Sequence, residues 1–113
     1  MNQIFKALSE ESRIRILSVL FNNELCVCEI EDALQLNQSN VSRHLTILKN
    51  AGVIKSSKNA QWIYYSISDE FKRDNVELYK YLDQKISELS SYEIDMGRLC
   101  KSKEKDLCNL KRE

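Results

Sequence analysis

A chain of 113 residues with 42% hydrophobic content has room for one domain with a modest core and is too apolar to be disordered. No apolar run approaches the ~20 residues needed to cross a bilayer, and the start MNQIFKALSEESR lacks the basic-then-apolar pattern of a signal peptide, so a cytoplasmic protein is expected, with no membrane partner. The net charge of zero hides an uneven distribution: residues 33–68 carry four bases (Arg43, Lys49, Lys55, Lys58) and no carboxylate, which suits a surface that approaches phosphates.

With no proline and only two glycines, the chain should be mainly helical. Ile4, Phe5 and Leu8 predict a short helix over 2–8. Ser9 reads as the N-cap of a second helix running to about Phe21, with Ser12 at the capping-box position and Asn22-Asn23 as its stop. A third helix is expected over 26–34, with Ile30, Ala33 and Leu34 inward. After the polar connection Leu36-Asn37-Gln38-Ser39, a fourth helix carries Val41, Leu45 and Leu48 on one stripe and ends at Asn50-Ala51-Gly52. Alternation then replaces helical spacing: Val53–Ser57 can pair with 61–67 across Lys58-Asn59-Ala60. A long helix over 69–90 follows, with Val76, Tyr79, Leu82, Ile86 and Leu89 on one stripe. Residues 91–113 read as a charged, cysteine-containing tail, a short helix with a loosely held end, set apart from a first unit over 1–90.

Two short helices joined by a tight polar turn and followed by a β-hairpin make a winged helix-turn-helix, mainly α with a hairpin. In such a unit the second helix enters the major groove, its N-terminal side chains facing base edges. The expected DNA-facing residues are Gln38, Ser39, Asn40, Ser42, Arg43, His44 and Lys49, with Lys58, Asn59 and Gln61 offered by the hairpin tip. Gln, Asn and Arg can make paired hydrogen bonds to purine edges, and hydroxyls and lysines reach phosphates. The partner implied is double-stranded operator DNA. An enzyme is not expected, since no nucleophile stands with an acid/base pair and no glycine-rich phosphate loop is present.

The segments ALSEESRIRIL, ELCVCEIEDAL, QSNVSRHLTILKNAGVI and QWIYYSIS resemble the successive signatures of the ArsR/SmtB metalloregulatory repressors, over roughly residues 2–90. The resemblance implies a winged-helix homodimer joined through its first and last helices, which would cover the apolar stripe of 76–89. Ala60 departs from the family pattern, which often has glycine at the wing tip.

Four cysteines in a reducing compartment point to metal binding or thiol chemistry rather than structural disulfides. Cys26 and Cys28 form a C-x-C at the start of the third helix, similar to the ELCVC box of arsenite-responsive and cadmium/lead-responsive family members. Thiolates are soft ligands for such ions. In a regular helix, positions i and i+2 lie ~200° apart, so holding one ion between Cys26 and Cys28 should distort that turn and disturb the helix it supports. Arsenite-responsive relatives commonly have a third cysteine where this chain has Glu31. A third thiolate would then come from Cys100, Cys108, the partner subunit or a small cellular thiol. Zinc-type relatives use histidine and aspartate on the long last helix, and 69–90 holds no histidine. The expected inducer is arsenic(III) or antimony(III), with no organic cofactor; a cadmium/lead-responsive or a thiol-redox-responsive repressor is the alternative.

Overall fold

A computed structural model describes residues 2–105, as helices α1 (Asn2–Ala7), α2 (Glu11–Leu20), α3 (Val27–Leu34), α4 (Gln38–Asn50), α5 (Asp69–Asp74), α6 (Val76–Ile86) and α7 (Tyr92–Lys105), with strands β1 (Leu25–Cys26), β2 (Ile54–Asn59) and β3 (Trp62–Ile67). Among the described residues no helix is long and apolar enough to cross a membrane.

Helix α2 is the centre of the fold, packed by α3, α4, α6, α7 and β3. That is why Ile16, Leu17, Val19 and Leu20 are all buried, more than the single stripe of a helix with one covered face. Its N-cap is Glu10. Ser9 instead donates its hydroxyl to the Lys6 carbonyl at 2.6 Å, closing α1 rather than opening α2. Asn22, the expected stop, adopts φ 63°, a left-handed conformation that asparagine tolerates.

The reading unit is α3, a short turn and α4. Gln35 ends α3 in the left-handed region, and the Asn37 side chain accepts the Asn40 backbone N–H at 2.9 Å to start α4. Gly52, at φ 80°, follows the last turn of α4, where the Val53 N–H reaches back to the Leu48 carbonyl. Val41, Leu45 and Leu48 are buried as the stripe requires.

Strands β2 and β3 form an antiparallel hairpin from Ile54↔Ile67 to Asn59↔Trp62, leaving Ala60 and Gln61 as a two-residue turn where the three residues Lys58-Asn59-Ala60 were expected. The third strand is β1, which adds to the other edge of β3 through Leu25↔Tyr65 and Cys26↔Tyr64, in the order β1-β3-β2.

The long helix expected over 69–90 is broken at Asn75, whose backbone (φ −131°, ψ 48°) leaves the helical region. Phe71 is the buried residue of α5, and one turn further along its face stands a polar, turn-favouring asparagine. The apolar stripe therefore restarts in α6, where Leu82 and Ile86 are buried and Tyr79 stacks on Phe21 with ring centroids 5.1 Å apart.

Helix α7 is not a loose appendage. It packs on α2 and α3 with Asp95 and Leu99 buried. Asp95 accepts two hydrogen bonds from Arg15, from Nε and Nη2, each 2.9 Å, while Nη2 also donates to the Leu34 carbonyl at the end of α3. One guanidinium thus ties α2, α3 and α7 together.

Candidate functional site

Helix α4 presents a continuous polar row. Gln38, Ser39, Asn40, Ser42, Arg43 and Lys49 are exposed, and so are Lys58, Asn59 and Gln61 at the hairpin end. No carboxylate pairs with Arg43, Lys49 or Lys58 among the described residues, whereas Lys55 is turned to Asp69 at 2.9 Å.

His44 does not belong to that row. It is 3% exposed because it stands three residues after Val41 and four before Leu48, on the buried stripe itself. Its Nδ1 lies 3.2 Å from Nη1 of Arg13 and 3.8 Å from the Glu10 carboxylate. Burial, then the Arg43 and Arg13 charges, hold the imidazole below its ordinary pKa of 6.5.

Arg13 escaped the sequence reading. Only 6% exposed, it donates from Nε to the Ala7 carbonyl at 2.6 Å and from Nη2 to the Lys6 carbonyl at 3.1 Å. Both carbonyls lie in the last turn of α1, where donors from within the helix run out. The Glu10–Arg13–His44 cluster therefore seats the recognition helix against α1 and α2. The available signal was spacing: Arg13, Ile16, Leu17 and Leu20 form one i, i+3, i+4, i+7 stripe.

The cysteines are placed differently from the expectation. Cys26 is not in a helix: it ends β1 and is the N-cap of α3, in extended conformation (φ −86°, ψ 168°). Its backbone N–H donates to the Glu29 carboxylate at 3.0 Å. Cys28 is the second residue of α3, half-buried and free. The 200° argument applies to two helical residues and fails here, since the strand-to-helix junction lies between the two sulfurs. Both cysteines line one cavity of about 310 Å³, shared with Val27, Glu31, Gln38, Gln61, Trp62 and Ile63. Cys26 is 1% exposed and disulfide-bonded. Cys100 is exposed on α7, is free and does not line the cavity; Cys108 lies outside the described residues. Among the described residues, no three His, Cys, Asp or Glu side chains cluster so as to hold a metal ion.

The helix–turn–helix, the hairpin after it and the polar face of α4 define a winged helix-turn-helix protein. Residues 10–56 match the family described as bacterial regulatory protein, arsR family. The chain is 40% identical over 76 residues to a cadmium resistance transcriptional regulatory protein CadC homolog of Staphylococcus aureus, covering 66% of this chain and 63% of that one. It is 41% identical over 68 residues to an arsenic resistance transcriptional regulator of Pseudomonas putida, covering 59% and 53%. The match thus spans between half and two thirds of these two relatives. Among solved structures, HlyU of Vibrio cholerae superposes with a TM-score of 0.61 at 36% identity, over 71% of this chain and 87% of that one. A homodimeric winged helix-turn-helix DNA-binding domain from Mycobacterium bovis gives 0.64 at 26% identity, over 74% and 78%. The chain belongs to the arsR family of bacterial regulatory proteins.

Proposed function

We propose that the protein is a homodimeric DNA-binding repressor that leaves its operator when Cys26 and Cys28 take up trivalent arsenic or antimony. One observation carries this reading: the two cysteines share a cavity with Gln38, the first residue of the recognition helix, and Gln61, in the turn of the wing. The Cys26 backbone is moreover paired to the wing strand at Tyr64. Drawing both sulfurs onto one atom therefore pulls at once on β1, on the first turn of α3 and, through β3, on the wing. A ligand that favours this rearranged state must oppose DNA binding, because the two affinities are linked.

The donor set fits a soft, thiophilic inducer, and the relatives whose names refer to arsenic and cadmium resistance support that class. For the dimer, the reading rests on Phe5 of α1 and Val76 of α6. Both are large apolar side chains left exposed, and they line one open hollow of the kind a second copy would cover. Gln38, Ser39, Asn40, Ser42 and Arg43 would address base edges and nearby phosphates, and Lys49, Lys58, Asn59 and Gln61 the backbone and minor groove.

A gel shift on the DNA upstream of its own gene tests this. The reduced wild type should bind in a salt-dependent manner and be released by arsenite, and the Cys26→Ser, Cys28→Ser double variant should stay bound. Release of the double variant by arsenite would exclude the thiol site.

A second reading is favoured by the disulfide at Cys26 and by the existence of a solved reduced form of HlyU, 36% identical to this chain. In it, oxidation rather than ion binding sets the state of β1. Mild peroxide would then release DNA with no arsenite present.

A further inference from the structure

The same cavity holds a group that neither DNA binding nor thiol chemistry uses. Trp62, the first residue of β3, is one of its walls. The indole Nε1 is shielded from solvent yet has no hydrogen-bond partner among the described residues. A buried N–H without an acceptor is destabilising, so its retention beside two cysteines calls for an acceptor that arrives with a ligand.

Arsenious and antimonous acids bring one. After a small thiol or a phosphine has reduced the Cys26 disulfide and been oxidised in its place, the exchange itself begins: two thiols replace two of the three hydroxyls of the acid, two bonds from sulfur to the central atom form, and two bonds from oxygen to it break. Each departing hydroxide leaves as water with the proton of the incoming thiol. The central atom stays trivalent, nothing is oxidised or reduced, and one hydroxyl remains. Where a third thiol was expected the chain has Glu31, a harder oxygen donor, so a two-sulfur site that keeps this hydroxyl uses the residues present.

We propose that Trp62 is the ligand-reading residue of this site, its indole N–H donating to the hydroxyl that trivalent arsenic or antimony keeps after Cys26 and Cys28 have displaced the other two. The inference rests on the thiol reading above and adds its third contact. It also makes the occupant touch the wing directly, since Trp62 pairs with Asn59 across the last rung of the hairpin. A thiophile carrying carbon in place of that oxygen, such as a phenylarsenical, would engage both sulfurs and leave the indole without an acceptor.

The test uses the full chain kept reduced with a phosphine, equilibrium dialysis of arsenite and of phenylarsonous acid, and the emission of Trp62, the only tryptophan. Arsenite should change the emission. Trp62→Phe should weaken arsenite binding about fivefold, the loss of one hydrogen bond, and should not weaken phenylarsonous acid binding. The second ligand thereby also reports whether the variant's thiol site is intact. Equal weakening of both ligands, or unchanged arsenite affinity, would overturn the role of Trp62. Undiminished arsenite binding by the Cys26→Ser, Cys28→Ser variant would overturn the thiol site itself, whatever Trp62→Phe does.

Discussion

Helix α4 with its wing, and the β1–α3–α7 side that carries the cysteines, obey different rules. On α4 every decision is local. The stripe repeats within one helix, Asn37 caps it from three residues before Asn40, and Gly52 closes it. On the cysteine side the decisions are made at a distance: Cys26 is extended because it pairs with Tyr64, and α7 is docked because Asp95 meets Arg15, 80 residues away. The exposed face of α4 follows from spacing, while the cysteine side depends on partners that spacing does not name.

The sharpest way to break this contrast is to remove Asp95. Its side chain is 1% exposed and bound by two charged hydrogen bonds, and truncating one partner of a buried pair leaves the other uncompensated. Because Arg15 is partly exposed at 19%, the lower end of the usual range applies. Asp95→Ala should cost about 3 kcal/mol in urea unfolding. Amide exchange should quicken in α7 and at the end of α3, with α4 little changed. A loss under about 1 kcal/mol, or equal acceleration in α4, would mean that α7 is not held as a separate, long-range element.

Arg13, His44 and Asp95 show why part of the molecule was not legible. Each is polar, and each lies on an apolar stripe: Arg13 with Ile16, Leu17 and Leu20, His44 with Val41, Leu45 and Leu48, Asp95 with Tyr92, Met96 and Leu99. Spacing alone would put all three indoors, but residue type was read before position, which placed His44 outdoors and passed over Arg13 and Asp95. The exposed row of α4 and the hairpin after it were legible, since residue type and spacing agree there. The two-residue strand at Leu25–Cys26 was not. A strand that short has no period of its own, and it exists only because β3 offers an edge.

His44 gives the next test, smaller because it concerns one contact. If it were a DNA contact, His44→Gln would weaken operator binding and leave stability unchanged. Buried against Arg13, it should instead lower stability by about 1–2 kcal/mol at neutral pH by disturbing a buried hydrogen bond. The pH dependence separates the two cases further. A histidine held below its ordinary value stays neutral in the folded state, so the unfolded chain binds the extra proton as pH falls. Its contribution is fully present above pH 6.5, is lost as pH falls from 6.5 toward the lower folded value, and then levels off. Glu10, the one carboxylate in the cluster, softens this trend without reversing it, because burial and the two arginines outweigh it. The slope between pH 7 and 5.5 should shrink in His44→Gln; an identical slope would remove the histidine from the cause.

The smallest effect is expected at the wing tip, and there the chain departs from what local geometry prefers. Ala60 occupies the first position of a two-residue hairpin turn at φ 57°, where a β-carbon crowds the backbone and glycine does not. Ala60→Gly should relieve that crowding but loosen the unfolded chain, for a net gain of about 0.5–1 kcal/mol in thermal or urea unfolding. Because the turn contains Gln61 and adjoins Trp62, which wall the cysteine cavity, the same variant asks whether the two regions communicate through the wing. A relaxed turn that leaves arsenite affinity unchanged while stability rises would show that the wing's shape is set by the hairpin alone. A change in arsenite affinity that follows the change in stability would show that the tip is held strained by its contact with the cysteine side.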